Sequence, residues 1–144
     1  MNIELEYLKT SDLQNYKFLL DDALGTDVSL ACMQAKYQED HPYFKTVVAK
    51  KGSEIIGTIS FALIDTFTGV GDPKIEFSNF AVAPAARGTE TATMLMDFVA
   101  RYARAHGYRQ VVVNCGINAE RAHRFYEKMG FQRSDRARFV LMTT

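Results

Sequence analysis

A chain of 144 residues with 47% apolar and 24% charged residues can fill one self-sufficient core and is too apolar for disorder. Seventeen Lys and Arg balance seventeen Asp and Glu, and no compact basic stripe interleaved with aromatics points to nucleic acid. No run approaches the roughly 18 apolar residues of a membrane span, and Cys32 and Cys115 are too far apart in sequence for a CxxC or metal-ligand pattern.

In chain order, Asn2–Leu8 alternates and predicts a first strand. Ser11-Asp12-Leu13-Gln14 reads as a capping box, and Leu13, Tyr16, Leu20 and Leu24 follow at helical spacing until Gly25. A short second helix is expected after Asp27, through Leu30, Ala31 and Met33, and must end before His41-Pro42. Phe44–Ala49 and Glu54–Ile64 are β-rich runs joined at Lys51-Gly52, a hairpin. Thr68–Pro73, with Gly69 and Gly71, reads as a loop.

The second half alternates strand and helix. Ile75–Val82 is a strand, and its alternation places Glu76, Ser78, Phe80 and Val82 on one face. Gly88–His106 is a long helix with Met94, Leu95, Phe98, Tyr102 and Ala105 on one side and Gly107 as its stop. Gln110–Asn114 is a valine-rich strand. Asn118–Met129 is a helix capped by Asn118, with Ala122, Phe125, Tyr126 and Met129 inward and Gly130 after it. Phe131–Arg133 and Arg138–Met142 predict a closing hairpin around Ser134-Asp135. Strand-helix-strand steps imply parallel neighbours, so the expected class is α/β of the α+β type, with a mixed sheet flanked by helices.

The zero net charge conceals an asymmetry. Residues 1–40 carry eight acids and three bases, net −5, whereas residues 101–144 carry nine bases and three acids, net +6. One end favours cations and the other anions.

Two segments carry chemistry. Val82-Ala83-Pro84-Ala85-Ala86-Arg87-Gly88-Thr89-Glu90-Thr91-Ala92 is a strand turning into a helix start, where unpaired N–H groups and the positive end of the helix dipole suit a pyrophosphate. Asn118-Ala119-Glu120-Arg121-Ala122-His123-Arg124-Phe125-Tyr126-Glu127-Lys128-Met129-Gly130-Phe131 is an amphipathic helix with a tyrosine near its end. Together, in this order, they resemble the GNAT acetyltransferase superfamily. The likeness is closest from Ile75 to Phe131. Arg87-x-x-x-x-Ala92 matches the ends of the family's (Gln/Arg)-x-x-Gly-x-(Gly/Ala) loop, but Glu90 stands where glycine is usual.

The resemblance implies a single domain over 1–144 with a splayed central sheet of about six to seven strands and about four helices. It implies acetyl-CoA as cosubstrate, no metal, and direct transfer to an amine, since no Cys or Ser sits in a nucleophile constellation. Backbone groups of Phe80, Ala81 and Val82 would pair with the pantetheine arm, and Arg87, Gly88, Thr89, Glu90, Thr91 and Ala92 would wrap the pyrophosphate. Asn118 would reach the pantetheine, cap its helix, or do both. Tyr126 would be the general acid toward the leaving thiolate, or else a core aromatic. Glu76, by its spacing from Val82 and Arg87, would be a water-mediated general base, or else a solvated carboxylate. His123 is the reserve base. Asp21, Asp22 and Asp27 would meet a cationic amine. A cytoplasmic enzyme without nucleic-acid or membrane partners, with a homodimer allowed, is the leading expectation. The alternatives are a protein lysine or N-terminal acetyltransferase and a noncatalytic acyl-CoA-binding module.

Overall fold

The computed structural model describes residues 2–66 and 73–144, and the chain divides into two compact units, Met1–Val113 and Asn114–Thr144. The loop expected over Thr68–Pro73 therefore lies outside the described residues except for Pro73, whose carbonyl accepts the Arg109 N–H at 2.9 Å.

The first unit is built on a five-stranded sheet in the order β1 (Ile3–Tyr7), β2 (Phe44–Lys51), β3 (Glu54–Ile64), β4 (Lys74–Val82), β5 (Gln110–Val112). The first four strands run antiparallel and β5 joins β4 in parallel, the mixed arrangement expected from a helix between them. Among the described residues five strands stand where six to seven were expected, because residues 131–144 form no strand. Phe139 and Leu141, which a closing strand would have paired, are 93% and 86% exposed.

Two helical layers cover the sheet. On one face α1 (Leu13–Leu24) buries Leu13, Tyr16, Leu19 and Leu20, and Tyr16, Leu19 and Leu20 cluster with Val48, Ile55 and Ala81. The expected stripe shifts by part of a turn, leaving Leu24 44% exposed. The start of α1 also differs from expectation. Ser11 lies within a 3-10 turn over Thr10–Asp12 instead of capping, and the Asp12 carboxylate accepts the Lys9 N–H at 2.9 Å. Asp12 and Glu6 then share Lys50 Nζ at 2.7 and 2.6 Å, which ties β1, the turn and β2 together. The second helix, α2 (Leu30–Lys36), begins at Ser29, whose hydroxyl accepts the Cys32 N–H at 3.1 Å.

On the opposite face α3 (Thr91–His106) buries Leu95, Met96, Val99 and Ala103. Phe98 and Tyr102 contact Phe61 edge-on or tilted, while Ala105, expected inward, is exposed. The helix starts at Thr91 instead of Gly88 because residues 84–86 first make a 3-10 turn. Its first residue lies directly on β3: a Cβ added at Gly57 would stand 2.8 Å from Thr91 Cγ2 and 3.0 Å from Leu95 Cδ1. Glycine there permits the close approach.

The second unit holds α4 (Glu120–Lys128). Ala119 occupies the N-cap position and no side chain caps it; Asn118, expected to cap, instead offers its carbonyl to the Glu120 N–H at 3.0 Å. Ala122, Phe125, Tyr126 and Met129 are each half-buried. The helix closes with Gly130 at φ 97° and the Phe131 N–H reaching back to the Tyr126 carbonyl at 2.9 Å.

Candidate active site

The sheet changes character along β4. Its ladder with β5 holds three pairs, Lys74↔Gln110, Ile75↔Val111 and Glu76↔Val112, and stops there. Yet β4 continues to Val82, paired to β3 on its other side. Six residues of β4, roughly 20 Å of extended chain, therefore run past the end of β5. The expected strand Gln110–Asn114 is shorter than its sequence suggested, and Asn114 is exposed.

A bulge interrupts the same stretch. Thr58 pairs with Ala81 and Ser60 with Ser78, so two β4 residues, Asn79 and Phe80, oppose the single residue Ile59. Asn79 takes the left-handed conformation at φ 48°, which an Asn side chain tolerates. The extra residue flips side-chain parity. Glu76 and Ser78 share a face with Ala81 and with the α1 cluster, whereas Phe80 meets Phe77 edge-on, 5.9 Å between centroids, on the α3 side. The expectation that Glu76, Ser78, Phe80 and Val82 share one face is thus corrected.

Beyond Val82 the chain enters the turn that precedes α3. Arg87 closes the 3-10 turn in an extended conformation and is exposed. Gly88 has φ +79° with open space where a Cβ would be. The Thr89 hydroxyl donates to the Ala86 carbonyl and lies 2.9 Å from the Thr91 hydroxyl. The helical ladder opens with the Met94 N–H on the Glu90 carbonyl at 2.9 Å, so the amides ahead of Met94 fall outside it. Glu90 is exposed and makes no capping bond, so its carboxylate need not occupy the space these amides face. An exposed guanidinium, a left-handed glycine and a helix amino end form a cradle that fits a pyrophosphate.

Glu76 is half-buried on β4, opposite Ala62. Of the three N-terminal acids, Asp21 is already engaged: Lys17 Nζ lies 2.6 Å away and Thr26 donates at 2.9 Å. These hydrogen bonds, that of Lys17 first, hold its carboxyl below the usual aspartate range. Asp27 lies 3.8 Å from the same ammonium. Asp22 is exposed and lines a cavity of about 380 Å³ with Phe18, Ser53, Glu54 and Ala83. The structure thus groups Asp21 and Asp27 around Lys17 and sets Asp22 apart.

In the second unit, Tyr126 is half-buried and its ring meets Phe125 and Phe131 at 5.6 and 5.4 Å. Burial, with Cys115 adding to it, pushes the phenol above its ordinary value. His123 has both ring nitrogens engaged. Arg133 can only donate, at 2.9 Å to Nδ1, and the Gly116 carbonyl can only accept, at 2.8 Å from Nε2. These contacts clip the preceding loop to α4 through the imidazole. Among the described residues, no group of three His, Cys, Asp or Glu side chains could hold a metal, and no helix is long and apolar enough to cross a membrane.

The family model described as "Acetyltransferase (GNAT) family" matches residues 11–131. Mouse "Probable N-acetyltransferase family 8 member 5" is 29% identical over 121 residues, 84% of this chain and 51% of that protein. The chain spans about half the length of the curated relatives it matches. In fold it is similar to a crystal structure of a Trypanosoma brucei acetyltransferase, with TM-score 0.79 and 24% identity over 98% of this chain and 100% of that one. It is also similar to AAC(6')-Iy in complex with the bisubstrate analog CoA-S-monomethyl-acetylneamine, with TM-score 0.83 and 14% identity over the whole of both chains.

Proposed function

The chain belongs to the GNAT acetyltransferase family, and from that membership we propose that it transfers the acetyl group of acetyl-CoA directly to a primary amine. The observation that carries this reading is the unequal length of β4 and β5. A strand that outruns its parallel neighbour and leads straight into an anion cradle suits an extended carrier ending in a pyrophosphate.

In this reading the Arg87–Ala92 segment holds the pyrophosphate through the Arg87 guanidinium and its amides other than those of Arg87 and Thr89, which already donate to Pro84 and Ala86 at 3.3 Å, and backbone groups of Phe80, Ala81 and Val82 hold the pantetheine as an added strand. Asn118 assists at the pantetheine. Acetyl-CoA supplies an acetyl group activated as a thioester. A backbone N–H beside the Asn79 bulge steadies the negative charge that develops on the carbonyl oxygen as the amine nitrogen bonds to carbon. Glu76, through a water, takes the proton that the amine loses. The carbon–sulfur bond breaks and Tyr126 gives its proton to the leaving sulfur; the phenolate then recovers a proton from solvent. A phenol held above its ordinary value keeps that proton at neutral pH. Of the acids proposed to attract a cationic amine, Asp22 is the accessible member, while Asp21 and Asp27 set the local field through Lys17.

Isothermal titration with acetyl-CoA, followed by thiol release in the presence of pooled amines, tests the reading. Saturable binding and amine-dependent release support it. Binding without release would make the chain an acyl-CoA-binding module, and release with peptides alone would make it a protein acetyltransferase.

A further inference from the structure

The face of the sheet that carries Glu76 has a second feature that the transfer reaction does not use. Antiparallel partners point their side chains to the same face, and the register aligns Phe44 with Ala62 and Ala62 with Glu76. Two strand spacings separate the ends of this row, about 10 Å. Ala62 is the small residue at its centre and is half-buried, so the row is a shallow trough with a carboxylate at one end. The neighbouring row, Thr46–Ser60–Ser78, runs beneath α1 at Ser60, which is 1% exposed.

The other end of the trough opens into a cleft of about 200 Å³ between the carboxyl end of α2 and the start of β2. Its walls include Tyr7, Tyr37, His41 and Phe44. Phe44 is 41% exposed and meets the His41 ring edge-on, 6.4 Å between centroids. Tyr7 is turned to the opposite face, where its ring meets Phe98 edge-on at 5.8 Å, so Phe44 and His41 form the aromatic wall at this end of the row. The charges around it are largely matched. Lys9 pairs with Glu6 at 3.3 Å, and Lys45 donates to the His41 carbonyl at 3.4 Å and sits 5.7 Å from the Tyr7 ring centre. Lys36, Glu39 and Asp40 also line it, so both signs are present. A rim so balanced selects neither sign, and the aromatic walls are left to discriminate.

We propose that the acceptor is a primary amine bearing an uncharged aromatic or apolar body, which lies along the Phe44–Ala62–Glu76 row with its amine toward Glu76 and its far end in the Phe44 cleft. This rests on the reading of Glu76 as the base, and it makes Phe44 and Ala62 the residues that set acceptor length.

The test is a series of ω-phenylalkylamines, from benzylamine to phenylhexylamine, with ethylamine as reference, assayed by thiol release from acetyl-CoA. We expect kcat/KM to climb with chain length and to peak at about four to six methylenes, where the ring reaches the 10 Å end of the row. Phe44→Ala should flatten that dependence, lowering the best amine about tenfold while leaving ethylamine within twofold. Ala62→Leu fills the centre of the trough and should likewise flatten the dependence, which guards against a folding defect in either variant alone; circular dichroism checks both. A length dependence unchanged in both variants would overturn the proposal, as would a preference for charged end groups in an ω-amino acid and diamine panel. The base is tested separately. If Glu76→Gln leaves the pH–rate profile of ethylamine unaltered, the base assignment fails. A flat length series beside a Glu76→Gln variant that does lose its basic limb condemns the acceptor row alone.

Discussion

The contact between β3 and the first turn of α3 gives the sharpest expectation. A methyl group placed at Gly57 would stand 2.8 Å from Thr91 Cγ2 and 3.0 Å from Leu95 Cδ1. Both neighbours are fully buried, and the Thr91 hydroxyl is held by Thr89 at 2.9 Å, so the side chain cannot simply rotate away. β3 is clamped on both sides by β2 and β4, which leaves the helix to move by several tenths of an ångström. Overpacking of this kind costs about 1–3 kcal/mol, and the reduced freedom of the unfolded chain returns about 0.4–1 kcal/mol of it. Gly57→Ala should therefore lower stability by about 1–2 kcal/mol, read as a fall in melting temperature of about 3–8 °C. Because Thr91 begins the helix whose amides form the proposed anion cradle, acetyl-CoA affinity should weaken several-fold by titration calorimetry. Gly116→Ala is the control, since its added methyl would meet nothing nearer than Ala119 Cβ at 3.9 Å. If Gly57→Ala matches that control in stability and in affinity, the packing argument is wrong.

Further expectations concern proton transfer, charge and acid stability. Tyr126→Phe should reduce kcat by about 10²–10⁴ with acetyl-CoA affinity unchanged, measured by single-turnover thiol release and calorimetry; normal turnover would remove the general-acid role. Glu90→Gln should tighten acetyl-CoA about two- to threefold at low salt, because two unit charges roughly 7 Å apart repel by about 0.6 kcal/mol in water, and the gain should fade at high ionic strength. Lys50→Met should destabilise by about 2 kcal/mol, since Asp12 would keep a buried charge without its ammonium partner. The pH dependence has a definite sign. The hydrogen bond from Lys50 holds Glu6 below its ordinary 4.5. Burial alone would raise Asp12, but Lys50 and the Lys9 amide outweigh it and hold it below 3.8. Their stabilisation is thus complete above about pH 4.5 and drains away as pH falls through the depressed values. Urea titrations from pH 7 to 3 should show this slope in the native chain and a shallower one in Lys50→Met.

The parts of the fold that depend on local pattern were legible. Alternation at Asn2–Leu8, β-rich runs at Phe44–Ala49 and Glu54–Ile64, and glycines at 25 and 107 mark the strands and helix ends where β1 to β3, α1 and α3 fall. Features set by tertiary partners were not. The Asn79 bulge depends on how β4 aligns with β3, and an alternating run of six residues looks the same with or without it. The Ser11 capping box lost to Asp12 because Lys50, 38 residues away in sequence, recruits that carboxylate. Phe131–Arg133 and Arg138–Met142 have strand composition, but composition does not supply a pairing partner, and residues 131–144 form no strand. For the site, the order of Arg87-Gly88 and Asn118 to Tyr126 carried the family likeness, whereas the Phe44–Ala62–Glu76 row is a product of register across three strands and leaves no mark in any one of them.

The single inserted residue in β4 divides that strand into two halves with independent fates. Upstream of Asn79, Glu76 and Ser78 look toward the layer of α1; past it, Phe80 turns to the layer of α3. On the proposed assignment, substitutions in the first half would retune which acceptor is taken while the second half kept its hold on the donor. The joint would then let the two specificities vary separately on one strand.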